Sequence, residues 1–157
     1  VRTFKSKRQY SMKLPADRIT ISCDAESRAA VEAVAEDLKA LAKISEVAFA
    51  DELENAFETD SDHFRIAMEM NARALARTEL VGAIKPFISE LKKAVGLKAK
   101  SPIARVLIVA DGEALSLLQD EPEQIVFAAK ADEVVFAAEA DGLTSAGDTG
   151  VSVGIEV

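Results

Sequence analysis

The sequence has 157 residues, 49% hydrophobic and 29% charged, with 7 Gly and 4 Pro, a balance that excludes disordered and fibrous classes. No run approaches the ~18 consecutive apolar residues of a membrane helix, and Val1–Arg8 lacks the apolar core of a signal peptide. Cys23 and His63 are the single residues of their types, which leaves no internal disulfide and no Cys/His zinc set. A reduced, cytoplasmic compartment is expected, and the start at Val1 rather than Met points to a piece of a longer protein.

Net charge is −8, unevenly spread. Residues 1–18 carry Arg2, Lys5, Lys7, Arg8, Lys13 and Arg18 against Asp17 alone. Residues 85–105 carry Lys85, Lys92, Lys93, Lys98, Lys100 and Arg105 against Glu90 alone. Two basic segments on an acidic body form a footprint for a polyanion such as RNA, or a pair of solvated helix faces.

An opening helix is predicted to end near Tyr10, before Pro15 forces extended backbone. Arg18–Cys23, short and rich in β-branched residues, reads as a buried strand. Asp24 is placed to cap a helix running to about Lys43, with Val31, Val34, Leu38 and Leu41 on one stripe. Glu46–Ala50 reads as the next strand, parallel to the first through a right-handed crossover. Asp51–Asp62 is an acidic linker. From Asp62 a long helical stretch through about Lys93 is predicted, bent at Pro86, its stripe opened by Phe64, Ala67, Met68 and Met70.

The pattern then recurs. Shifting the chain by 87 residues lays 1–50 over 88–137 without a gap, with 14 identities. Lys5/Lys92, Lys13/Lys100, Pro15/Pro102, Arg18/Arg105, Asp24/Asp111 and Phe49/Phe136 are among them. Gly96 is the expected helix stop, Arg105–Ala110 and Glu133–Ala137 the strands, and Pro122 a helix start. Turns are expected at Ala140–Leu143 and Ala146–Gly150, and Val151–Val157 alternates as a final strand. The expected fold is α/β: two duplicated helix-strand-helix-strand units forming a mixed sheet packed by helices, with a C-terminal strand. The organisation read from this is a first repeat over 1–50, an acidic linker and long helix over 51–87, and a second repeat with the final strand over 88–157. Phe49 and Phe136 are expected at equivalent buried positions.

The catalytic inventory is nearly empty. No glycine-rich phosphate loop, dinucleotide fingerprint or Gly-x-Ser-x-Gly elbow occurs. His63 reads as a surface residue beside acids, and Cys23 as an inert buried thiol. Asp51, Glu52 and Glu54 read as a solvated linker rather than metal ligands. Asp148-Thr-Gly matches an aspartic-protease triplet without a second active-site half. No cofactor, metal or catalytic residue is expected.

Val1-Arg-Thr-Phe-Lys-Ser-Lys-Arg-Gln-Tyr-Ser-Met-Lys-Leu-Pro15 resembles the segment leaving the anticodon-binding helical bundle of valyl-tRNA synthetases. There a helix with an (Ile/Val)-Arg-x-(Phe/Tyr)-Lys-(Ser) pattern precedes a polar turn and a strand. Leu38–Ala50 is similar to that family's helix-to-strand passage. Leu91-Lys-Lys-Ala-Val-Gly-Leu-Lys-Ala-Lys-Ser-Pro-Ile103 is similar to the same pattern in valyl- and isoleucyl-tRNA synthetases. The resemblance implies a non-catalytic C-terminal region of a class I synthetase that helps position tRNA. It makes tRNA and the rest of the enzyme the partners, and leaves ATP binding and valine–tRNA ligation to the parent. His-x-Gly-His and Lys-Met-Ser-Lys-Ser, the class signatures, are absent. Arg2, Lys5, Arg8, Lys13, Lys92, Lys93, Lys98 and Lys100 are the candidate phosphate contacts, Arg2, Lys5 and Arg8 sharing a face by their spacing of three. An α/β protein-interaction or dimerisation module without nucleic acid is the alternative.

Overall fold

The structure, a computed structural model, describes all residues of 1–157 except 58, 60, 139, 140, 142 and 148. The expected turn over Ala140–Leu143 and the Asp148-Thr-Gly triplet fall partly on these, so residues 140, 142 and 148 lie outside the described residues. The chain divides into two compact units, Val1–Leu75 and Ala76–Val157.

In the first unit, α1 (Arg2–Lys7) leads to β1 (Ala16–Ser22), α2 (Ala25–Ala33), α3 (Ala35–Ala42), β2 (Ile44–Phe49) and β3 (Arg65–Met70). The sheet order is β2-β1-β3, with β1 parallel to β2 and antiparallel to β3. A long helix, α4 (Ala72–Ala94), spans the division between the units. The second unit continues with β4 (Ile103–Ala110), α5 (Gly112–Asp120), α6 (Pro122–Ala129), β5 (Ala131–Ala137), β6 (Thr144–Ser145) and β7 (Val151–Glu156). Its sheet runs β5-β4-β7-β6, with β4 and β5 parallel and the other pairs antiparallel. The fold is therefore α/β with duplicated units, each with its own mixed sheet.

The duplication is longer than residues 1–50. Arg18 pairs with Glu69 across β1 and β3, and Arg105 with Glu156 across β4 and β7, the same register 87 residues on. Even the Phe57–Ile66 bridge recurs as Thr144 opposite Val153. The helix predicted from Asp62 therefore starts too early. Ile66, Met68 and Met70 alternate with Arg65, Ala67 and Glu69, which is strand periodicity, and β1 offers an edge to pair with. The helix begins only after Asn71, whose Oδ1 accepts from the Ala74 amide at 2.8 Å as an N-cap. Pro86 is accommodated within α4 and exposed to solvent.

Asp24 caps α2 as expected, accepting from the Ser27 amide at 2.8 Å. The helix it starts does not run to Lys43, because the chain breaks at Val34 into α2 and α3. Glu121, 87 residues on, makes the same break before Pro122. Proline is thus not required for the break, since Ala35 stands at the matching place.

Both opening helices end in a Schellman turn. The Gln9 and Tyr10 amides donate to the Ser6 and Lys5 carbonyls, and those of Gly96 and Leu97 to Lys93 and Lys92. Gln9 has φ +56° and Gly96 +81°. A side chain in this left-handed region costs energy that glycine avoids. Gln9→Gly is expected to stabilise the first unit by about 0.5–1 kcal/mol, measured as a higher urea midpoint by circular dichroism; a lower midpoint would refute the reading.

Each unit has its own core. Phe4, Ala16, Ile19, Ile21, Ile44 and Ile66 form the first, with Phe49 packed against it. Val106, Ile108, Leu118, Ile125 and Val153 belong to the second, with Phe136 packed against it. Phe49 and Phe136 are equivalent, paired with Ile21 and Ile108, but only half-buried rather than fully so. The Arg28 guanidinium lies 4.8 Å from the Phe49 ring centre.

Candidate nucleic-acid interface

The α1 turn that ends at Lys7 directs Lys5 inward. Its Nζ donates to the carbonyls of Met12 at 3.1 Å, Leu14 at 2.6 Å and Ala42 at 2.8 Å. Lys92 repeats the arrangement, donating to Ala99 at 3.2 Å, Ser101 at 2.8 Å and Ala129. All four positions in each set are 87 residues apart. An ammonium has three N–H donors, and each of the two is fully used. Lys5 and Lys92 are 0% and 1% exposed. Burial pulls both ammonium pKa values down, and for Lys92 the nearby Lys130 charge adds to it. Lys5 and Lys92 are therefore not phosphate contacts. Their charge is consumed by backbone carbonyls at a helix end, where the dipole also favours a cation.

The buried lysines shape what lies outside them. The carbonyls of Met12 and Leu14 converge on one nitrogen, so the chain arcs around it, and Lys13 between them is exposed. Lys100 stands likewise between Ala99 and Ser101. The third acceptor, Ala42 or Ala129, is followed by an exposed lysine in the left-handed conformation: Lys43 at φ +56° and Lys130 at +52°. Those lysines' own carbonyls accept from the first strand, from the Ala16 amide at 2.8 Å and the Ile103 amide at 3.0 Å. In each unit the clamp thus gathers two exposed lysines at one end of the sheet: Lys13 with Lys43, and Lys100 with Lys130. Lys98 is exposed on the same turn as Lys100.

Lys43 and Lys130 were not among the sequence candidates. Their identity in the repeat was the available signal, but only the fold brings them to Lys13 and Lys100.

Arg2 and Arg8 are exposed, but α1 ends before Arg8 and Lys5 between them is buried, so the expected three-residue face does not form. Arg8 lies 5.7 Å from the Phe4 ring centre and Lys7 5.1 Å from that of Phe57. The two rings meet edge to face at 5.3 Å, and Phe4 is buried. Lys93 is exposed on α4.

Arg18 and Arg105 are engaged in cross-strand rungs rather than free. Arg18 Nε donates to Glu46 at 3.0 Å, and Arg105 binds Glu133 and, at 3.2 Å, Glu156. The Glu46 hydrogen bond and the Glu46 and Glu69 charges raise the Arg18 pKa.

His63 is exposed and Cys23 half-buried. Among the described residues no group of three or more His, Cys, Asp and Glu converges as a metal site. No helix of the described residues is long and apolar enough to cross a membrane. The chain matches no family model and no curated protein sequence.

Proposed function

We propose that this chain is a non-catalytic, cytoplasmic tRNA-binding region from the C-terminal part of a valyl-type synthetase, helping to position tRNA for its parent enzyme. One observation carries the reading: the same buried ammonium shapes the same lysine-bearing turn in both units. Lys13, Lys43, Lys98, Lys100 and Lys130 then meet phosphate by charge, without reading base edges. The resemblance of residues 1–15, 38–50 and 91–103 to valyl and isoleucyl enzymes supplies the choice of RNA.

The test is tRNA affinity against salt for a Lys13→Glu, Lys98→Glu, Lys100→Glu variant, with Lys5 and Lys92 untouched. Affinity is expected to fall for every tRNA alike, with the salt slope reduced by about 0.7–0.9 for each phosphate no longer neutralised. Unchanged affinity and slope would refute the phosphate reading. Leu41 at 85% and Phe127 at 86% exposed favour a second reading, a protein-interaction module.

A further inference from the structure

The two units treat one equivalent place differently. In the first, the Arg28 guanidinium lies 4.8 Å from the Phe49 ring centre, and its Nε donates to Glu32 at 3.0 Å. A planar cation is attracted to the electron-rich face of such a ring. Shifted by 87 residues, Phe49 becomes Phe136, Arg28 becomes Leu115 and Glu32 becomes Gln119. The ring at the end of the strand is kept, while its cation and that cation's acid partner are gone.

The second unit has open space there. A cleft of about 350 Å³ is lined by Asp111, Gly112, Leu115, Gln119 and Phe136, with alanines from both strand ends. It lies at the carboxyl ends of the parallel pair β4 and β5, where open α/β sheets take their ligands. Leu115 and Phe136 give it apolar surface, and Asp111 gives it a negative charge. In the first unit the matching Asp24 is occupied by the helix start, accepting from the Ser27 amide at 2.8 Å and hydroxyl at 3.1 Å. Ala114 replaces Ser27, the backbone turns left-handed at Gly112 with φ +54°, and the Asp111 side chain makes no cap hydrogen bond. The carboxylate is thus released from capping. It repels an anion and suits a forked pair of N–H donors.

We propose that this cleft binds an arginine side chain of a partner polypeptide. The guanidinium stacks on Phe136, pairs with Asp111 and donates to the Gln119 amide oxygen, while its aliphatic stem lies along Leu115. Arg28 is the chain's own template for this occupant, since it reaches the equivalent ring as a side chain carried on a polypeptide. The site is independent of tRNA binding.

The test titrates the isotope-labelled full chain with N-acetyl-arginine methylamide, followed by NMR. Saturable shifts are expected, confined to residues 110–119 and 136–138. The lysine analogue and the uncharged citrulline analogue are expected to bind at least about fivefold more weakly. Asp111→Asn is expected to weaken the arginine probe about fivefold. A Leu115→Arg, Gln119→Glu double variant supplies the occupant that the first unit already has, and is expected to keep the circular dichroism of the parent chain and lose the shifts. Absence of saturable shifts, equal affinity for either analogue, or unaltered binding by either variant would overturn the proposal. So would tighter binding of free arginine than of the blocked residue, since the occupant would then be a small metabolite.

Discussion

Lys5→Met is expected to lower the stability of the first unit by about 3 kcal/mol. Methionine keeps the length and apolar stem of lysine, so little packing changes. What disappears is the donor set for the carbonyls of Met12, Leu14 and Ala42. A buried acceptor left without a partner costs about 1–3 kcal/mol. Three would cost more than the figure given, but removing the ammonium also removes the cost of keeping a charge out of water. Part of the turn will rehydrate as well. Lys5→Arg is expected to be no rescue, because a planar guanidinium cannot aim three N–H groups at three carbonyls around one atom. The measurement is the urea midpoint of Tyr10 fluorescence for both variants. A midpoint within error of the parent chain would show that the three carbonyls are satisfied without Lys5. The clamp also links stability to the proposed function. A loosened Met12–Leu14 turn no longer holds Lys13 beside Lys43, so tRNA affinity is expected to fall although no exposed charge has been removed.

The repeat, the order of the first strands and the Asp24 cap are legible in the sequence, because each rests on local pattern. Lys5 and Lys92 are visible there as repeat identities, yet their chemistry is hidden. A lysine in a basic run on a short helix looks like surface charge, and only the fold shows three carbonyls arriving from 7, 9 and 37 residues away. The strand β3 is legible in principle. Phe64, Ile66, Met68 and Met70 alternate as Val151, Val153, Ile155 and Val157 do, with Glu69 matching Glu156. The competing stripe of Phe64, Ala67 and Met68 runs into a true helix and hides the change of period. Lys43 and Lys130 require tertiary structure, since nothing local says that a helix C-cap will stand beside the turn before the preceding strand.

The first rung of each parallel pair carries the second large effect. Ala16 lies opposite Ile44, and Ile103 opposite Ala131. All four are buried, at 0%, 4%, 3% and 8% exposed. Each rung thus holds one alanine and one isoleucine, with the strands exchanged between units. Side chains directly opposite on neighbouring strands share space on one face, so the rung conserves volume while its composition flips. Ile44→Ala alone is expected to cost about 3 kcal/mol, from the lost burial and the cavity left behind. Ala16→Ile alone is expected to cost about 2 kcal/mol by overpacking a position with no free surface. The double variant reproduces the rung of the second unit and should lie within about 1.5 kcal/mol of the parent. The singles and the double then give a coupling of at least about 3.5 kcal/mol, above the ~0.5–3 kcal/mol usual for neighbouring side chains. The backbone hydrogen bond at this rung, from the Ala16 amide to the Lys43 carbonyl, involves neither side chain and should survive the exchange. Tyr10 unfolding of all four proteins measures the cycle. Additive costs would mean that the two side chains fill separate spaces, and that the units share a topology without sharing a packing solution. Strong coupling would mean that one volume constraint at the clamped end of the sheet was met in opposite ways by the two copies.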